Sequence, residues 1–147
     1  MFRHILVPTD GSPLSLRAAK RAISYAKSTR ARITAFYAGQ QYSVQVYGDF
    51  VPPDLLSPVE FARQAKLGGE RHLAAIAKLA KAAGVRCQTL YAVNNAPWDA
   101  IVKAAKSKKC DLIFMASHGR RGLSGLLLGS ETQKVLTHSK VPVLVHR

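Results

Sequence analysis

The apolar positions along the chain change period repeatedly, and these changes divide it into short strands and amphipathic helices. His4–Val7 reads HILV and is stopped by Pro8. A continuous apolar run of that length predicts a strand buried on both faces, as in a parallel sheet. Ser12 and Pro13 suit a helix N-cap and first helical position. Leu16, Ala19, Ile23 and Ala26 follow at helical spacing. Arg32–Tyr37 (RITAFY) predicts a second strand. From Gly39 to Pro58 the pattern lapses around Tyr42, Tyr47, Phe50 and three prolines. A long irregular loop is expected there, and loops of that length are often functional.

Val59–Ala83 predicts a long helix through Phe61, Ala65, Leu73, Ile76, Leu79 and Ala80, with Gly68-Gly69 interrupting its start. Gly84 stands where a helix C′ glycine belongs. Arg86–Val93 predicts a third strand and Pro97–Lys108 a third helix carrying Ile101, Val102 and Ala105 inward. Asp111–Ala116 (DLIFMA) is a fourth, very apolar strand. A glycine-rich loop spans Ser117 to Gly129, Ser130–His138 is a last helix, and Val141–His146 a last strand. Strands alternating with helices imply an α/β fold: a single doubly wound, five-stranded, mostly parallel sheet with helices on both faces. Ligands in such sheets bind beyond the carboxyl ends of the strands where strand order reverses. The segments after strands one and four are therefore the places to search.

Composition adds bounds. At 147 residues, 48% hydrophobic and 20% charged, the chain is expected to form one domain over residues 1–147, with a core that needs no metal or disulfide. The N-terminal apolar run is too short for a secretory signal, and no stretch is long enough to span a membrane, so a cytoplasmic location is expected. Cys87 and Cys110 form no CxxC pair and read as buried free thiols. His4, His72, His138 and His146 are scattered, which disfavours a metal cluster. The net charge of +14 points to an anionic partner without naming it. Nucleic acid is not favoured. The basic residues are spread over Arg17, Lys20, Arg21, Lys27, Arg30, Arg32, Lys78, Lys81, Lys103, Lys106, Lys108 and Lys109, and no helix-turn-helix or RNA-binding aromatic signature occurs.

Chemistry concentrates after strand four. Gly119, Gly122, Gly125 and Gly129 fall within eleven residues. Glycine lets backbone N–H groups approach a ligand closely. Gly129-Ser130 opens a helix, whose free N–H groups and positive dipole end suit phosphate. Ser130 is placed either to cap that helix or to donate its hydroxyl to a phosphate, and Arg120 and Arg121 add charge at the mouth. The stretch is neither GxxxxGK[ST] nor GxGxxG. His118 has no paired nucleophile, so a catalytic role is not assigned to it.

HILVPTDGS, CDLIFMASHGRRGLSGLLLGS and VPVLVHR together resemble the universal stress protein family, and the likeness covers nearly the whole chain. That resemblance implies a Rossmann-like fold and, in the ATP-binding subgroup, a motif of Gly, two residues, Gly, nine residues, then Gly-Ser or Gly-Thr. Here Gly119 is the second glycine, nine residues separate it from Gly129-Ser130, and Ala116 replaces the first glycine. The resemblance implies ATP binding, with Mg²⁺ bridging phosphates. Asp10 would accept from the adenosine part, with Pro8 and Thr9 lining that side; the alternative for Asp10 is bonding the N–H groups of its own turn. The backbone of Ala38 would hold the adenine edge. Met115 and Ala116 would line the ribose side, and Gly119, Arg120, Gly129, Ser130, Glu131 and Thr132 would surround the phosphates. Glu131 beside a triphosphate is electrostatically awkward and is alternatively expected to satisfy the helix N-terminus. The family's homodimer would form through Val141–His146, an apolar edge strand. The function implied is a stress sensor or interaction module, with at most slow ATP hydrolysis. A family member that has lost nucleotide binding and acts through dimerisation and protein contacts is the alternative.

Overall fold

A computed structural model describes residues 1–43, 56–120 and 128–147. The elements run β1 (His4–Pro8), α1 (Pro13–Thr29), β2 (Arg32–Gly39), α2 (Pro58–Ala82), β3 (Cys87–Val93), α3 (Pro97–Ser107), β4 (Leu112–Ala116), α4 (Ser130–His138) and β5 (Val143–His146). The strands form one sheet in the order β3-β2-β1-β4-β5, every pair parallel. The chain builds outward from β1 to β3, then returns to place β4 and β5 on the other side. Strand order therefore reverses between β1 and β4, as the alternation predicts.

Alternate residues of the central strands feed two cores. Ile5, Val7, Leu112, Phe114 and Ala116 pack with the alanine-rich face of α1 and with Leu73, Ile76 and Ala80 of α2. Leu6, Ile113 and Met115 face Ile101, Ala104 and Ala105 of α3 and Val135 of α4. Both sheet faces are covered, which explains why HILV and DLIFMA show no polar alternation. Cys110 is buried as expected, whereas Cys87 is only half-buried, because it opens the edge strand β3. Burial raises the Cys87 thiol and pushes Cys110 up to about 11, so both stay protonated at neutral pH.

The ends of β1, α2, β3, α3 and β4 differ from the sequence reading by one residue, and three differences are larger or change the element. β2 runs on to Gly39, whose carbonyl accepts from Asn94 N–H at 2.8 Å. β5 begins at Val143 rather than Val141. Pro142 has no N–H to give the ladder, and the Ser139 hydroxyl accepts from Val141 N–H at 3.0 Å in a turn. α2 passes through Gly68-Gly69 without a break, because Gly69 is buried where the helix crosses Tyr37 and Tyr91. Gly84 has φ +75°, as a C′ glycine should. Of the expected loop Gly39–Pro58, residues 44–55 lie outside the described residues, as do Arg121, Gly122 and Gly125.

At the opposite end of the sheet, the His4 ring is buried and bonds Thr34 Oγ1 at 2.8 Å, while its Nδ1 has no partner. Burial, reinforced by the Arg32 charge, lowers its pKa below the usual 6.5. The unfolded chain therefore takes up this proton first. The resulting stabilisation is complete above about pH 6.5 and is lost as pH falls towards the folded-state value. We expect melting temperatures to fall between pH 7.5 and 5.5 with a His4 share of at most about 1.4 kcal/mol per pH unit. His4→Gln should flatten that part of the profile; an unchanged profile in the variant would remove His4 as its source.

Candidate functional site

The loops after β1 and β4 meet at Asp10. Its Oδ1 accepts the Ser12 N–H at 2.9 Å, and its Oδ2 accepts the Arg120 N–H at 2.7 Å. The first bond is the turn contact named as the alternative for Asp10. The second reaches across 110 residues and fastens one loop to the other. Burial alone would raise the Asp10 pKa, but the bonds from Ser12, Arg120 and Ser15 together hold it below the usual value. Gly119 lies against this carboxylate, and a Cβ there would fall on Oδ2.

The flanking candidates fall into two groups. Pro8 ends β1 and Thr9 follows it, and both are buried. The Thr9 hydroxyl bonds Ser15 Oγ at 2.9 Å and accepts the Gly11 N–H at 3.1 Å, so it braces the turn. Thr9 N–H donates to Phe36 C=O at 2.8 Å, and β1 has no residue opposite Ala38. Backbone direction alternates along a strand, so Ala38 directs its N–H and C=O to the same side as Phe36. The Ala38 backbone is thus presented beyond the end of β1.

Met115 packs its side chain into the α3–α4 core, and the Ala116 methyl belongs to the α1–α2 core. The Ala116 carbonyl accepts from the Thr132 hydroxyl at 3.1 Å. Thr132 is buried and ties β4 to α4 with its side chain. Gly129 donates its N–H to Ser117 C=O at 2.7 Å.

The N-terminus of α4 is where the anion-binding expectation concentrates. Its N-cap is Gly129, with no side-chain cap, and Ser130 is the exposed first helical residue. That settles the two options for Ser130 against capping. Glu131 corrects an expectation too. Its Oε2 accepts Trp98 N–H at 2.8 Å, and its Oε1 lies 3.3 Å from Lys134 Nζ. The carboxylate serves a helix N-terminus, but that of α3, whose own N-cap Ala96 offers no side-chain bond. Only the Glu131 backbone is left for the α4 end. The first turn of α4 thus keeps backbone donors directed past the β4 terminus, without an acidic side chain turned towards them.

His72, which looks isolated in the sequence, belongs to this region. Arg120 Nη2 donates to His72 Nε2 at 3.3 Å, over Gly11, whose φ is +80°. A Cβ at Gly11 would meet both side chains. The His72 ring stacks on Tyr37 at 5.8 Å, and Tyr37 stacks on Tyr91 at 6.1 Å. The signal available in the sequence was the spacing of His72 three residues from Gly69, which places both on one helix face. Among the described residues no group of three His, Cys, Asp or Glu side chains is arranged to hold a metal. No helix there is long and apolar enough to cross a membrane.

Comparisons with known proteins agree with this architecture. The universal stress protein family model matches residues 1–147. Universal stress protein MJ0531 of Methanocaldococcus jannaschii is 35% identical over 99% of this chain and 82% of its own length. Universal stress protein YxiE of Bacillus subtilis is 32% identical, with full coverage of both. Among solved structures, that of MJ0577 superposes with a TM-score of 0.82 at 26% identity, covering 99% of this chain and 95% of the other. A universal stress protein solved in complex with cAMP superposes with a TM-score of 0.71 at 30% identity, covering 99% and 97%.

Proposed function

The chain belongs to the universal stress protein family, and from that premise we propose that it binds an adenine nucleotide, ATP in the first instance, beyond the ends of β1 and β4. The observation that carries this reading is the α4 N-terminus. It opens on a glycine without a side-chain cap, at the strand-order reversal, beside a loop fastened by Asp10. Free helix N–H groups and a positive dipole end favour phosphate. The backbones of Gly119, Arg120, Gly129, Ser130, Glu131 and Thr132, with the exposed Ser130 hydroxyl, would hold the phosphates. The unpaired edge of Ala38 would bond the adenine, and Pro8, Thr9, Met115 and Ala116 would close the floor. The cAMP complex of the 30% identical structure supports an adenine ligand in this family.

Ala116 carries the methyl that the motif lacks. Its place in the α1–α2 core supports binding in spite of that departure. Mg²⁺ would be held chiefly by the phosphates, since no trio of ligating side chains gathers among the described residues. Ser117 Oγ lies 3.1 Å from His118 Nδ1, a pairing the sequence did not reveal, but Ser117 is buried and no third side chain among the described residues bonds His118 to orient it. The reading is therefore a sensor or interaction module of the cytoplasm with at most slow hydrolysis. Homodimer formation through β5 has support from the partly exposed Leu144 of this edge strand.

The test begins with mass spectrometry of any nucleotide released on denaturation, followed by calorimetric titration of stripped protein with ATP, ADP and AMP. Asp10→Ala removes the fastener between the loops and should weaken binding about tenfold or more, equivalent to about 1.4 kcal/mol. Equal affinity in that variant would return Asp10 to a purely local turn role. Absence of any adenine nucleotide binding in the parent protein would favour a member acting through dimerisation alone.

A further inference from the structure

The nucleotide crevice accounts for little of the +14 charge. A groove of about 540 Å³ lies between α1 and the end of β5, lined by Arg17, Lys20, Arg21, Ser24, His146 and Arg147. Residues 17, 20, 21 and 24 follow the i, i+3, i+4, i+7 pattern and share one helix face. Parallel pairing sets His146 opposite Ala116, which delivers Arg147 to the same end of the sheet. The fold thus gathers cations that look dispersed along the chain.

These charges are not balanced internally. α1 contains no Asp or Glu. The ion pairs among the described residues are Arg63–Glu60, Lys66–Glu70, Lys103–Asp99 and Lys134–Glu131, and none uses a groove residue. A second basic groove of about 250 Å³ opens at the C-terminal end of the same helix, with Lys27, Arg30 and Arg86 in its lining. From Arg17 to Arg30 the helix rises about 20 Å at 1.5 Å per residue. One small phosphorylated molecule does not span that length.

We propose that the α1–β5 groove, continued along α1, binds the phosphate backbone of duplex nucleic acid without reading its sequence. Three of the cations, Arg17, Arg21 and Arg147, carry guanidinium forks that match phosphate oxygens. An acidic protein partner would need an apolar centre to its interface, and no apolar side chain lines this groove. Single strands are held by stacking on aromatic rings, and no aromatic residue other than His146 is present in the groove. Duplex recognition requires neither feature.

The experiment is fluorescence anisotropy of a short labelled DNA duplex against the full chain at several potassium chloride concentrations. The four cations of the α1–β5 groove alone, Arg17, Lys20, Arg21 and Arg147, predict a log K against log salt slope of about −4, and contacts further along α1 make it steeper. Arg17→Ala with Arg21→Ala should lower affinity about tenfold or more and reduce the slope by about two. Lys106→Ala with Lys108→Ala removes the same charge from the end of α3 and should change affinity less than about twofold. All four side chains are exposed, so melting curves should match the parent; Arg147→Ala is the second groove variant if they do not. Equal losses from both pairs would make the effect one of net charge and overturn the site. Absence of binding at low salt would overturn it too. A salt slope shallower than about −1 would overturn the phosphate-backbone assignment.

Discussion

Gly119→Ala should abolish nucleotide binding, with affinity at least about a hundredfold weaker, equivalent to about 2.7 kcal/mol. A Cβ at this position falls on Asp10 Oδ2. That carboxylate cannot swing aside cheaply. It is short, and both oxygens are engaged, by Ser12 N–H at 2.9 Å and Arg120 N–H at 2.7 Å. Displacing it breaks bonds made to an ionised acceptor and leaves the loop amides unsatisfied, at a cost of about 1–3 kcal/mol. The same displacement parts the β1 and β4 loops, so the binding amides lose their common frame. Gly129 is less strict: its Cβ would stand 3.1 Å from His118 Cα, a tight contact that a small shift relieves. Gly129→Ala should therefore lose less affinity than Gly119→Ala. Calorimetry with ATP, alongside melting curves, separates lost binding from lost fold. Wild-type affinity in Gly119→Ala would sink the Asp10–Gly119 arrangement as a determinant of the site.

The sequence carried the scaffold well because the scaffold is written in local signals. Apolar runs uninterrupted by polar residues announce strands covered on both faces, and β1 and β4 are such strands. Their alternation with helices gives the parallel order and the strand reversal, and hence the region of the site. What the sequence did not carry depends on tertiary approach. Glu131 is in the first turn of α4, which suggests service to its own helix, yet the packing of α3 on α4 sets Trp98 N–H within its reach. His72 is far from Arg120 in sequence, and only the passage of α2 over the edge of the sheet joins them. The basic residues of α1 have an obvious spacing, but nothing local indicates that β5 ends beside them. Arg30 and Lys109 adopt φ of 55° and 53° at helix ends, positions where glycine would be the local expectation.

The adjacent glycines of α2 should give opposite results. At Gly68 an added Cβ meets nothing within 4 Å. Gly68→Ala should thus show the plain helix-propensity gain of about 1 kcal/mol. At Gly69 an added Cβ would stand 2.7 Å from Tyr91 Cε2 and 2.8 Å from Tyr37 Cδ1. These rings are stacked on one another and on His72, so neither can turn away alone. Overpacking costs about 1–3 kcal/mol, which meets or exceeds the propensity gain. Gly69→Val adds two further methyl groups and β-branching, and should lose about 3 kcal/mol. At about 2–4 °C per kcal/mol for a chain of this size, the Gly68→Ala and Gly69→Val melting temperatures should differ by about 8–16 °C. The consequence reaches the site, because close approach of α2 at Gly69 lets His72 stack on Tyr37 and receive Arg120. Gly69→Ala, the milder change, should therefore also weaken nucleotide binding while Gly68→Ala leaves it intact. Equal stabilisation by alanine at both positions would show that α2 does not depend on this contact, and would detach the His72–Arg120 pair from the packing of the helix.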